Sequence, residues 1–581
     1  MNFRSKCQNE NCKVTLTQRD NTEKDIIFLD VNVSFDAPTC PDPVSIRFDF
    51  PCIDTYSIFS PTIWSSRHMG PNWQKRTSSS RLSSGLPIHS LVSLGGRNRL
   101  TIALSDADTA CELRTGIIEE NGNHDVEIRL FTKPQNAISS YHATVRLDFS
   151  DIPYEESVKT VEKWWKDSCK YVCAYIPDHA RLPMYSTWYS FHQNVDPQAI
   201  VEQCKLAKAM GMESVIVDDG WQTEDESRGY AFCGDWEVAK SKVPDMKNFV
   251  DAVHNCGMKF LIWFGVPFVG VNSKAYAKFQ GKYLGLEIRN GVPSFAVLDP
   301  RYPEVRKHLT ELYTNAVREW GLDGLKLDFI DSFRLYPDTP SFSEGWDTVS
   351  LDAAVNMLME DITASIKGID PEFMIEFRQT YVGPSIRKYG NMLRVCDCPL
   401  DALVNRRAST DLRLVSGESA VHSDMLMWNI NDSVESAAAQ MIATLFCVPQ
   451  VSVMLDKIPE SHKRMLEFYL SFWRKNRDVL LDGSFKAENP EAFYTLVSSE
   501  KNGHLIAVNY VETVLTLGDV KKLSYVNGSG KNTLTVRFDK KAKRAWTVLN
   551  CTGEVLQSGV RKFSAGVVDF EVPRAGMLII E

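Results

Sequence analysis

Two stretches of this chain carry a carboxylate to the end of an apolar run. Gly324 to Phe329 reads as a buried strand with Lys326 and Asp328 on one side, and Met392 to Asp397 repeats the pattern with Asp397. Two carboxyl groups facing each other across a gap are the minimum apparatus for breaking a glycosidic bond: one attacks the anomeric carbon, the other protonates the departing oxygen and later activates water. Alternate residues of a strand share a face, so Lys326 is expected beside Asp328, where an ammonium keeps a nucleophilic carboxylate ionised. Asp401, four residues beyond Asp397, is a reserve candidate for the acid.

These acids can meet only if their strands belong to one curved sheet. From Pro183 to about Asn476 the chain alternates strand, loop and helix, with candidate strands at Met184 to Tyr189, Ser214 to Asp218, Lys259 to Phe264, Gly324 to Phe329, Phe373 to Arg378, Met392 to Asp397, Ala420 to Asp424 and Val451 to Leu455. Helical periodicity is clearest at Pro197 to Met210, Pro303 to Trp320, Leu351 to Ile366 and Ser433 to Phe446. Eight such βα units imply parallel strands closed into an α/β (β/α)8 TIM barrel, whose chemistry sits at the C-terminal strand ends. In that frame strands four and six are next-but-one neighbours at about 4.8 Å per spacing. Inward carboxylates at their tips can therefore approach the roughly 5 to 5.5 Å separation of a retaining glycosidase.

The polar residues fall where a barrel needs them. Trp188 closes the first candidate strand, Asp218 and Asp219 the second, Trp263 the third, Lys326 and Asp328 the fourth, Glu376 and Arg378 the fifth, Arg394 and Asp397 the sixth, and His422 and Asp424 the seventh. The consecutive acids Asp218 and Asp219 point in different directions, and each can accept a hydrogen bond from a sugar hydroxyl. Trp188, Trp236 and Trp263 are candidate platforms for the C–H face of a pyranose ring. Cys396 and Cys398 flank Asp397 on the opposite face and read as packing residues.

The barrel segment, residues 154–480, begins with a linker helix over Glu155 to Tyr175. It is preceded over residues 1–153 by short alternating runs that suggest a β-sandwich, and followed over 481–581 by a smaller all-β domain. With 581 residues, 44% of them apolar and 24% charged, the chain is long enough for several cores. The 65 basic and 74 acidic residues leave a net charge of -9, which disfavours nucleic acid as a partner. No stretch approaches the roughly 18 apolar residues of a membrane span, and no signal-peptide core follows Met1, so the chain as written is expected to be cytoplasmic. Fourteen cysteines are too sparse for a disulfide scaffold, and neither they nor the eleven histidines show zinc spacing.

In order along the chain, Trp188 to Phe191, Asp218 to Trp221, Gly234 to Trp236, Ile262 to Pro267, Lys326 to Asp328, Arg394 to Asp397 and His422 to Asp424 resemble the motifs of the glycoside hydrolase family 36 α-galactosidases. The resemblance implies a retaining, exo-acting hydrolase with Asp328 as nucleophile and Asp397 as acid/base, needing no metal or organic cofactor. Asp218 and Asp219 would grip O4 and O6 of an α-galactosyl unit, and Lys326 and Arg394 the neighbouring hydroxyls. Trp236 and Trp263 would wall the pocket, and Trp64 would reach over it. Homo-oligomers are compatible with the resemblance.

This chain departs from the family in two places. Glu376 to Thr380 puts the fork of Arg378 where many relatives have cysteine and glycine beside the sugar O2, which suits an acidic or C2-substituted galactoside unless Arg378 pairs with Glu376 or Asp424. Only two residues separate Arg394 from Asp397, where close relatives have three. A transglycosylase of the raffinose-synthase type, an α-glucosidase of the wider clan and a binding protein that has lost catalysis are the competing readings.

Overall fold

The computed structural model describes residues 1–581 except 21, 22, 62–66 and 379. Its centre is one parallel sheet whose strands, in chain order, are Met184–Ser186, Ser214–Val217, Lys259–Gly265, Gly324–Asp328, Met374–Arg378, Met392–Arg394, Ala420–His422 and Gln450–Val451. The first seven pair in chain order, and the eighth pairs with the first. Parallel bridges His422–Val448 and Leu426–Val451 close the remaining gap, so the ring is a (β/α)8 barrel.

Helices cover the ring from outside. Pro197–Ala209, Pro303–Trp320, Leu351–Lys367 and Val434–Ala443 lie where the periodicity predicts them. Met246–Asn255, Ala402–Val415 and Glu460–Lys475 complete the set. Between strands three and four the chain leaves the barrel for a small antiparallel sheet, Phe268–Gly270, Tyr283–Arg289 and Val292–Leu298, which the sequence reading did not anticipate.

Several strands stop earlier than predicted. The first ends at Ser186, and Trp188–Phe191 is a helical turn, so Trp188 stands beyond the strand. Asp397 and Asp424 likewise lie past strands six and seven. The barrel interior is graded. Met184, Ile216, Leu261, Met374, Met392 and Ala420 form an apolar plug at the N-terminal end. Two residues further along their strands stand Asp218, Trp263, Glu376, Arg394 and His422, as the two-residue strand period requires.

Residues before the barrel form two six-stranded sheets around Leu29, Val31, Val44, Ile46, Leu113 and Val145. Helix Tyr154–Asp167 then buries Val158, Val161 and Trp165 against the central core. After the barrel, a seven-stranded and a three-stranded sheet enclose Leu523, Tyr525, Val536 and Phe570. One buried cluster ties these parts together. Arg67 meets Asp411 of helix Ala402–Val415 at 2.5 and 2.6 Å, and both bond the Tyr494 hydroxyl. Among the described residues no helix is long and apolar enough to cross a membrane.

Candidate active site

Asp328 ends the fourth strand, and its neighbour Phe329 takes a left-handed conformation at φ 63° that bends the chain over the barrel mouth. A bulky residue persists in that region only when its surroundings impose it, and such residues cluster at functional sites. The turn returns the Phe329 N–H to Asp328 Oδ1 at 2.7 Å, while the Trp263 indole N–H donates to Oδ2 at 2.8 Å. The third donor is Arg378 Nε, to Oδ1, with the guanidinium 4.6 Å above the Phe329 ring.

Lys326 does not pair with Asp328 as the shared strand face suggested. Its ammonium lies 2.5 Å from Asp218 Oδ2, across the barrel. Asp218 in turn receives the Asp219 N–H on Oδ1, and Asp219 accepts from Gln193 at 2.7 Å and Gln222 at 2.6 Å. Gly220 permits this turn: at φ 120° its missing Cβ would stand 2.5 Å from the Gln193 backbone. Burial, together with the charges of Asp218 and Asp328, pushes Asp219 up to about 6 despite its two amide donors.

Asp397 faces the same space from strand six. Arg394 Nη1 donates to its Oδ1 at 2.8 Å, and Arg378 Nη1 lies 3.5 Å from its Oδ2. One guanidinium, that of Arg378, thus stands between Asp328 and Asp397. Burial acts to raise the Asp397 carboxyl, but Arg394, then Arg378 and Lys326, outweigh it and hold it well below the usual carboxylate range. Arg378 pairs with neither Glu376 nor Asp424, the two partners considered from sequence. Glu376 bonds Gln450, and Asp424 accepts from Arg394 at 2.7 Å and from the Tyr189 hydroxyl at 2.9 Å. Burial raises both of these carboxyls against the pull of nearby cations.

Trp188 is half-buried at the rim, edge-on to His192 at 5.0 Å. Trp263 and Trp236 stand in edge contact at 5.5 Å. Trp236 packs behind it on Trp221 and Phe264, with its indole N–H enclosed and unbonded, a position for shaping Trp263 rather than for lying under a sugar. His422 is fully buried, bonds the Ala180 carbonyl at 2.7 Å and is pushed down to about 4 by burial, which places it in the barrel filling. Asp401 caps helix Ala402–Val415 by accepting the Val404 N–H at 2.9 Å and is thereby excluded as the reserve acid. Trp64 lies outside the described residues.

Sequence reasoning missed Gln193, Gln222, Tyr189, Tyr230 and Gln450. Tyr230 stacks on Trp263 with centroids 6.4 Å apart. Tyr189 and Gln222 fall inside motifs already singled out, which is the one signal that pointed to them. Among the described residues no group of three His, Cys, Asp or Glu is arranged to hold a metal ion.

The Melibiase family model matches residues 163–345, from the linker helix through Asp328. Over these residues the first half of the barrel resembles the melibiases. α-Galactosidase AgaA of Geobacillus stearothermophilus is 21% identical over 362 residues, 57% of this chain and 46% of that enzyme. α-Galactosidase Mel36A of Lactobacillus acidophilus is 28% identical over 158 residues, 26% of this chain and 20% of that enzyme. These alignments thus span less than half the length of the curated relatives. The crystal structure of AgaA, a family 36 enzyme, superposes on 98% of this chain and 81% of its own with a TM-score of 0.65 at 15% identity. The chain is similar to the melibiases over residues 163–345, and nearly its whole length follows the fold of the family 36 α-galactosidase AgaA. The family-model match ends before Arg378, Arg394 and Asp397, so their placement rests on the barrel geometry alone.

Proposed function

We propose that this protein is an exo-acting, retaining α-galactosidase. The observation that carries this reading is the convergence of Asp328 and Asp397, from strands four and six, on the two sides of a single guanidinium. The two acids stand one side chain apart above the apolar plug, and a site closed at that end would take the terminal unit of a chain. Asp328 attacks the anomeric carbon, held in line by the Trp263 and Phe329 N–H groups. Asp397, the more exposed acid, protonates the leaving oxygen and then takes a proton from water, which releases the sugar from its ester with Asp328. Asp218 and Asp219 accept hydroxyl protons of the glycone, Lys326 and Arg394 hold the carboxylates in register, and Trp188 lines the rim. Variants of the Geobacillus enzyme have been crystallised with raffinose and with stachyose, which supports α-galactoside oligosaccharides as the substrate class here.

A screen of aryl glycosides differing at C4 and C6, on the natural chain and on Asp328→Asn, tests the proposal. Turnover is expected on the α-galactoside, and loss of the nucleophile is expected to lower it by several orders of magnitude, roughly 10⁴-fold or more. An Asp328→Asn variant that works at the natural rate would refute the nucleophile, and turnover confined to α-glucosides would refute the glycone.

A further inference from the structure

The guanidinium of Arg378 is buried and already committed to the carboxylate that must attack. Its Nη1 is enclosed without a hydrogen bond, and neither Nη1 nor Nη2 donates to any described residue. The neighbouring cations are paired more closely: Lys326 with Asp218, and Arg394 Nη1 with Asp397 and Asp424, although Arg394 Nε is likewise enclosed without a hydrogen bond. A sugar entering the gap has to move Arg378 off Asp328. A neutral hydroxyl that does so leaves a buried cation with only the looser contact to Asp397, 3.5 Å from Nη1, and weakening a buried ion pair is unfavourable. An anionic group on the sugar replaces the lost charge, and the planar fork of arginine fits a carboxylate or a sulfate with two parallel bonds.

We propose that Arg378 reads an anionic group on the substrate, so that the preferred substrate is an α-galactosidic unit carrying a carboxylate or a sulfate ester. Binding that group draws the guanidinium from Asp328 and frees the nucleophile in the same motion. The proposal rests on the α-galactosidase reading and narrows its substrate. The left-handed turn at Phe329 places its ring under the Arg378 guanidinium, 4.6 Å away.

The test compares three p-nitrophenyl glycosides on the natural chain, Arg378→Ala and Arg378→Lys: the α-galactoside, the α-galacturonide and the 2-O-sulfo-α-galactoside. The galacturonide and the sulfated arm distinguish the two sources of negative charge. On the natural chain kcat/KM for one anionic glycoside is expected to exceed that for the neutral one. In Arg378→Ala the anionic-to-neutral ratio is expected to fall about a hundredfold, the usual cost of truncating one side of a buried charge pair, with Arg378→Lys in between. Calorimetric binding of galacturonic acid, galactose 2-sulfate and galactose to Asp328→Asn repeats the comparison without turnover. A ratio that favours the neutral sugar in the natural chain, or that Arg378→Ala leaves unchanged, overturns the role of Arg378 while leaving the galactosidase reading intact. If no glycoside is turned over and the acidic sugars bind no tighter than galactose, both fall. If they do bind tighter and Arg378→Ala abolishes the difference, only the hydrolytic reading falls.

Discussion

Replacing Arg378 with methionine keeps the bulk of the side chain and removes the charge between the two acids, which makes it a direct probe of Asp397. A general acid must hold its proton, so kcat/KM falls as pH rises through its pKa, and deleting a nearby cation raises that pKa and moves the falling limb to higher pH. Arg378 Nη1 lies 3.5 Å from Asp397 Oδ2. Unit charges about 4 Å apart interact by about 4 kcal/mol at an effective dielectric of 20 and about 1 kcal/mol in water. The Asp397 side chain is 43% exposed, so solvent screening selects the lower half of that range. About 1.5 to 2 kcal/mol corresponds to a shift of about one pH unit or slightly more. The assay is kcat/KM against pH on a neutral α-galactoside with a sugar or alkyl leaving group, which needs the acid. Asp219, pushed up to about 6, titrates well above Asp397, which its cations hold below the usual carboxylate range, so the two limbs are separate. The absolute rate also changes because Arg378 touches Asp328; the position of the limb is the readout, and Arg378→Lys is expected to return it toward the natural pH. A limb that stays in place or moves to lower pH refutes the assignment of Asp397 as the acid beside Arg378.

Removing the acid itself should make the enzyme sensitive to its leaving group: Asp397→Ala is expected to lose about 10² to 10⁴ on α-galactosides with sugar leaving groups and far less on dinitrophenyl α-galactoside, whose leaving group departs without a proton. Equal losses on both would assign Asp397 a positioning role. Asp411→Ala opens the buried cluster with Arg67 and Tyr494, whose charged side chains are 2% and 3% exposed, and leaves Arg67 unpaired. A loss of about 3 to 5 kcal/mol is expected, read as a lower midpoint in thermal or urea unfolding; an unchanged midpoint would mean that the cluster does not hold the three regions together.

Much of the barrel was legible because its strands are buried on both faces and read as apolar runs, and the polar residues after those runs marked the catalytic end before any coordinate was known. The errors have physical causes. Met184 to Tyr189 alternates as a strand should, yet the chain turns at Thr187, whose hydroxyl accepts the Asp218 N–H, and a bond to another strand has no local signature. The same reason explains Lys326. Strand period places it on the face of Asp328, and that much holds, but which carboxylate it meets is decided by Asp218 arriving from the next-but-one strand of a closed ring. Gln193 was invisible because an amide in a loop carries no pattern until the acid it serves is folded against it. Arg378 shows the limit most clearly. Its residue type announced a preference for a planar anion, and its strand position announced the active site. The anion it holds is Asp328, the proposed nucleophile, and that pairing, which under the proposal is an obstacle for the right substrate to remove, exists only once strands four, five and six stand side by side.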